Sequence, residues 1–153
     1  MPKEIDFHFK SPNDSPGYLL GQLTMLWQRK QKKVLDPLDL TQTQLTLLAA
    51  LGWLSKKSDA VTQVDIARQS NADRMMVSKV LRTLEDKKFI TRQEHPIDTR
   101  AKIIKLTAEG EKVLQQALAV VVNVDNEFFN AIGADLSMFN ANMVRLIDIN
   151  KAE

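Results

Sequence analysis

The stretch from Thr62 to Leu106, TQVDIARQSNADRMMVSKVLRTLEDKKFITRQEHPIDTRAKIIKL, holds a short helix, a tight turn, a longer helix and a hairpin in succession. Thr62 with Asp65 three residues on is a capping signal, and it opens a short helix through Ile66 and Ala67 to about Gln69. Asn71 stands where a left-handed residue would close that helix, a conformation Asn adopts more readily than most residues. Asp73 can cap the next helix at once, so the connection is only about three or four residues, the spacing of a helix-turn-helix. The helix from Arg74 to about Lys87 has two faces. Val77, Val80, Leu81 and Leu84 form an inward stripe; Met75, Ser78, Lys79 and Arg82, with Arg74 at their start, form an outward one that carries three positive charges and no acid. From Phe89 the period changes: Phe89 to Glu94 and Lys102 to Leu106 are short β-prone runs around a polar, basic tip, His95 to Arg100, which predicts a hairpin.

Helices flank this unit on both sides. Ser15 offers an N-cap with Pro16 just inside, and Leu19, Leu23 and Leu26 with Leu20, Trp27 and Val34 make an apolar stripe up to Pro37. Thr41 and Gln44 form a capping box for a second helix reaching about Leu54, followed by a polar loop from Ser55 to Ala60. Thr107 caps a long pattern through Val113, Leu114, Ala117, Leu118, Val121 and Val124 to Phe128, and Gly133 is its stop. Asp135 can start a last helix in which Leu136, Phe139, Met143 and Leu146 form a narrow apolar seam. Residues 1–15, with Phe7, His8, Phe9 and Pro12, follow no sustained period and read as an arm of open role.

The fold class predicted is mainly α with a small β-hairpin wing: one chain over 1–153, a winged helix-turn-helix over about 40–107, and flanking helices over about 16–36 and 108–150. A chain of 153 residues can bury one apolar core, and 44% hydrophobic with 26% charged residues places it among ordinary globular proteins. No apolar run reaches the roughly 18 residues of a membrane span, and the N-terminus lacks a signal-peptide stretch, so a cytoplasmic protein without a membrane partner is expected.

Several chemistries are disfavoured by inventory. The absence of cysteine removes disulfides, thiolate metal sites and cysteine nucleophiles together. Five scattered glycines make no phosphate loop, and the two histidines, His8 and His95, stand far apart without a nucleophile nearby. Neither an enzyme, a metal site nor a cofactor is expected. Charge is instead divided along the chain: Lys plus Arg against Asp plus Glu is 8 to 6 over residues 1–61, 10 to 6 over 62–106 and 3 to 7 over 107–153. A basic middle third suits a polyanion.

A helix entering the major groove needs an outer face free of acids and able to donate hydrogen bonds, which Arg74, Met75, Ser78, Lys79 and Arg82 provide. Arg100 on a narrow loop can enter the minor groove, with Lys102 and Lys105 on flanking phosphates. Asp98 would be repelled there unless paired, and its expected role is to orient Arg100 or Arg92. The competing class is a winged-helix protein-interaction module, but such a face would show exposed aromatics or leucines where Ser78, Lys79 and Arg82 stand.

From about Leu40 to Gly110 the chain resembles the MarR/SlyA-type winged-helix regulators, in "LTQTQLTLLAAL", in "VTQVDIARQSNADRMMVSKVLRTLEDKKFITRQ" and most specifically in "DTRAKIIKLTAEG". The resemblance implies a transcription regulator that pairs its first and last helices in a homodimer and reads a pseudo-palindromic site in double-stranded DNA. Asp98 and Arg100 would be its wing pair, and Leu136, Phe139, Met143 and Leu146 would lie at the dimer seam. It also implies a pocket for a small aromatic effector between the winged unit and the dimer helices, with Met25, Trp27 and Trp53 as candidate lining. Two departures stand out: Lys88 and Asn71 occupy places where the family pattern favours glycine, and Lys88 should be slightly strained there.

Overall fold

The computed structural model describes residues 4–151, so the ends of the arm and of the C-terminus, residues 1–3 and 152–153, lie outside the described residues. Six helices and one hairpin follow in chain order: α1 (Pro16–Leu35), α2 (Gln42–Leu54), α3 (Gln63–Ser70), α4 (Arg74–Asp86), β1 (Ile90–Glu94), β2 (Lys102–Leu106), α5 (Ala108–Phe129) and α6 (Leu136–Asn150). The N-cap hydrogen bonds anticipated for the first five helices all form. The side chains of Ser15, Thr41, Thr62, Asp73 and Thr107 accept from the backbone N–H of Tyr18, Gln44, Asp65, Met76 and Gly110. Each satisfies a donor that the helix itself leaves without a partner. Asn71 closes α3 with φ +53° and ψ +38°, the left-handed geometry that lets α4 start three residues later.

The core lies beneath the helix-turn-helix. Leu48 and Leu51 of α2, Ile66 of α3, Val77, Leu81 and Leu84 of α4 and Ile104 of β2 are buried together. Burying a side chain of this size contributes about 1.5–3 kcal/mol, so these residues fix how α4 is presented. Polar ties add direction. The Lys87 ammonium donates to Gln44 Oε1 at 3.1 Å, and that oxygen also accepts from Thr41 N at 3.1 Å, joining the end of α4 to the capping box of α2.

The hairpin pairs Ile90 with Leu106 and Glu94 with Lys102 in antiparallel register. A third short segment joins it: Thr62 bridges Ile103, and Ile104 N donates to Val61 O at 2.8 Å. The residues there predict only a polar loop followed by a helix cap. Lys88 is left-handed at φ +66°, as its place in the pattern suggested. That turn brings its carbonyl to Thr107, whose hydroxyl donates to it at 2.6 Å while accepting from Gly110 N at 3.0 Å.

Two features of the flanking helices were not anticipated. On α1 and α5, Asp125 Oδ1 accepts from Trp27 Nε1 at 2.8 Å and from Gln31 Nε2 at 2.7 Å, so a buried glutamine and a tryptophan clamp the helices through one carboxylate. Between α5 and α6, a run of 3-10 turns from Asn130 to Asp135 is broken at Gly133, with φ +57° and ψ −126°. Asp135 stands at the start of α6 but makes no capping bond, because its own backbone is already helical. The arm is not featureless either: Ser11 caps a single 3-10 turn, Pro12–Asp14.

Candidate nucleic-acid interface

The amphipathic division of α4 is realised in space. Val77, Leu81 and Leu84 are buried, whereas Met75 is 83% exposed and Arg74, Lys79 and Arg82 are exposed beside it; Ser78 is half-buried at the margin. Among the described residues none of these three cations forms an ion pair, so their donors face solvent. Asp73 at the head of the helix has its carboxylate engaged by Met76 N at 3.0 Å.

The wing tip is held by its own hydrogen bonds. Arg100 donates from its backbone N (3.1 Å) and from Nε (3.3 Å) to Asp98 Oδ1, while its side chain stays 92% exposed. Of the two partners considered for Asp98, the structure places Arg100 there; Arg92 turns instead to Glu85 at the end of α4, Nε to Oε1 3.3 Å, and so braces β1 against α4. Lys102 and Lys105 are exposed on β2. His95, the first residue of the predicted tip, sits inside it: its Nδ1 accepts from Ile97 N and Asp98 N, both at 3.1 Å. The signal available in sequence was a hydrogen-bond acceptor immediately before Pro96 at the head of a turn.

The three candidate effector residues are not brought together. Trp53 lines a cleft of about 840 Å³ between α2, the end of α3 and the start of α5, with Ser70, Glu111, Leu114 and Leu118 on its other walls. The Lys56 ammonium lies 4.4 Å from the Trp53 ring centroid, a cation–π contact at the rim. Met25 and Trp27 do not line this cleft: Met25 is exposed on α1, and Trp27 is engaged with Asp125 because its indole N–H needs an acceptor. Of the four seam residues, Leu136 and Phe139 are half-buried, Phe139 lying 6.1 Å from Phe129, whereas Met143 and Leu146 are exposed. Every residue from 140 to 150 is exposed, and Leu19, Leu20 and Leu26 of α1 are as well.

A helix-turn-helix whose second helix shows an acid-free outer stripe, next to an arginine-tipped hairpin, defines a winged-helix DNA-binding protein. Comparison with known proteins gives the same class. The family model described as MarR family matches residues 40–102. The chain is 43% identical over 123 residues to the HTH-type transcriptional regulator YdcH of Bacillus subtilis (strain 168), covering 80% of this chain and 84% of that one. Among solved structures it is similar to the MepR–DNA complex of Staphylococcus aureus, with TM-score 0.78, 27% identity and coverage of 88% and 97% of the two chains. It is also similar to CouR of Rhodococcus jostii RHA1 bound to p-coumaroyl-CoA, with TM-score 0.77, 23% identity and coverage of 92% and 95%, a likeness of fold. The chain belongs to the MarR family of transcriptional regulators, which are not enzymes. No helix of the described residues is long and apolar enough to cross a membrane, and no cluster of three or more metal-ligating side chains occurs among them.

Proposed function

We propose that this regulator works as a homodimer on a pseudo-palindromic operator, with α4 of each protomer in the major groove and the hairpin tip in the adjoining minor groove. The observation that carries the reading is the pairing of an exposed, carboxylate-free stripe (Arg74, Met75, Ser78, Lys79, Arg82) with Arg100, whose only ion-pair partner among the described residues is Asp98. Arg and Lys donate to guanine acceptors, Ser to base edges or phosphate, Met touches a thymine methyl, and Lys102 faces backbone phosphate. Arg100 is suited to the negative potential of a narrow minor groove. The two-fold arrangement is supported by the apolar surface that α1 and α6 leave uncovered, including Met143 and Leu146, which is more than a monomer ordinarily exposes.

Selection of bound duplexes from a random pool tests this. Two inverted half-sites with centres about 10 bp apart, bound with an affinity that falls steeply with salt, are expected. Recovery of no motif, or of a single unpaired half-site with a flat salt response, overturns it.

A small aromatic effector fits the same reading. The Trp53 cleft offers an aromatic wall, leucines and a cation, the pairing that receives an aromatic acid; CouR, similar in fold, is bound to p-coumaroyl-CoA. Quenching of Trp53 fluorescence by aromatic acids, absent in Trp53→Phe, is the expected result; no quenching across such a panel removes the proposal.

A further inference from the structure

The wing tip contains a hydrogen-bond relay that begins at a histidine. His95 N donates to Ala101 O at 3.1 Å and so closes the hairpin end, and Ala101 N donates to Asp98 O at 3.0 Å. Inside that loop, His95 Nδ1 receives two backbone N–H groups, those of Ile97 and Asp98. Asp98, so placed, receives the backbone N–H and the guanidinium of Arg100. Arg100, 92% exposed, makes no other ion pair or side-chain hydrogen bond among the described residues. Its position therefore depends on Asp98, whose backbone is held by the acceptor at residue 95 on one side and by Ala101 N on the other. Two donors at Nδ1 require that nitrogen to be unprotonated, which puts the ring proton on Nε2.

We infer that His95 is a positioning residue for DNA binding: its Nδ1, as an acceptor, holds the Ile97–Asp98 turn that aims Arg100. The inference rests on the reading that Arg100 meets DNA. Without an acceptor at residue 95 the backbone N–H groups of Ile97 and Asp98 lose their shared partner, and the turn that carries Asp98 is free to open. The charged groups at this end of the hairpin are Glu94, Asp98, Arg100 and Lys102, with Glu94 opposite Lys102 across the strands. No hydrogen bond links His95 to another element among the described residues, so the effect is confined to the tip.

The test uses the full chain and the duplex recovered by selection with the wild type. The variants are His95→Leu, which removes the acceptor, His95→Asn, whose amide oxygen accepts, Arg100→Ala, and His95→Leu with Arg100→Ala. His95→Leu should weaken binding roughly five- to tenfold, close to Arg100→Ala, and the double variant should be no weaker than Arg100→Ala alone. His95→Asn, which restores an acceptor, should bind as the wild type does. If Arg100→Ala has no effect, the minor-groove role of the wing fails. If Arg100→Ala weakens binding and His95→Leu does not, or their losses simply add, the positioning role of His95 is overturned while the wing stands. Should His95→Leu fold poorly, judged by circular dichroism, His95→Asn decides alone: a loss of affinity equal to that of Arg100→Ala overturns the inference.

Discussion

The carbonyl oxygen of Phe89 lies 1.9 Å from where a β-carbon on residue 110 would stand. Gly110 is there because the chain entering β1 runs directly against the first turn of α5, not because of its own backbone angles. Gly110→Ala must therefore part the wing from α5, and we expect a loss of about 2–4 kcal/mol in urea unfolding. A loss under about 0.5 kcal/mol would show that the two segments separate at little cost.

Lys88, in the turn just before Phe89, carries a left-handed backbone at φ +66° with an exposed side chain. A β-carbon is unfavourable in that conformation by about 1 kcal/mol, so Lys88→Gly should raise stability by roughly that amount despite the greater freedom of glycine in the unfolded chain. Asn71→Gly, at φ +53°, should gain less, since Asn already tolerates the region. Equal and negligible effects on the unfolding midpoint would mean that neither turn is strained.

These turns mark what could be read from the residues alone. Helix starts were legible because each depends on one side chain and a backbone N–H two or three positions away, as at Thr62 and Asp73. The inward and outward stripes of α4 followed from periodicity for the same local reason. What escaped was non-local. The Val61–Ile104 hydrogen bond joins segments 43 residues apart through a single bridge too short to show a period. The fit of Gly110 against Phe89 is a meeting of two backbones, which composition does not encode. Trp27 is a ligand candidate only through the pocket that the resemblance implies, and the residues around it give no sign that its indole N–H goes to a carboxylate 98 residues away.

That carboxylate, Asp125, serves two donors with one oxygen, and one of them, on Gln31, is only 2% exposed as a residue. Asp125→Ala leaves both donors without an acceptor and should cost about 1–3 kcal/mol or more, whereas Asp125→Asn keeps an oxygen in place and should cost less. Comparison of the two by chemical denaturation checks this. Indistinguishable variants would mean that water replaces the carboxylate freely.

Leu146 is 63% exposed in the single chain, on a helix exposed throughout residues 140–150. If two protomers cover it, Leu146→Glu places a charge in an apolar interface, and the dimer dissociation constant should rise tenfold or more, about 1.4 kcal/mol at least. Sedimentation velocity across a dilution series measures it. The wild type should also unfold at a higher temperature as its concentration rises, because association stabilises the folded chain by mass action. A concentration-independent midpoint, with Leu146→Glu sedimenting as the wild type does, would place this face outside the interface.

Lys79, Arg100 and Lys56 are three exposed cations in different settings: the outer stripe of α4, the wing tip and the rim of the Trp53 cleft. A base-edge contact and a phosphate contact differ in what their loss does. Removing a donor to guanine costs about 1–3 kcal/mol on the preferred sequence and little on others, so discrimination narrows. Removing a phosphate contact weakens all sequences alike and lowers the slope of log affinity against log salt by about one. Lys79→Ala should therefore blur the motif recovered by selection, and Arg100→Ala should weaken binding chiefly where the flanking minor groove is A·T-rich. Lys56→Ala should change neither motif nor salt slope, since Lys56 lies away from the stripe and the wing. A motif unchanged by Lys79→Ala would move that residue to phosphate, and a loss for Lys56→Ala equal to the others would reduce the interface to net positive charge.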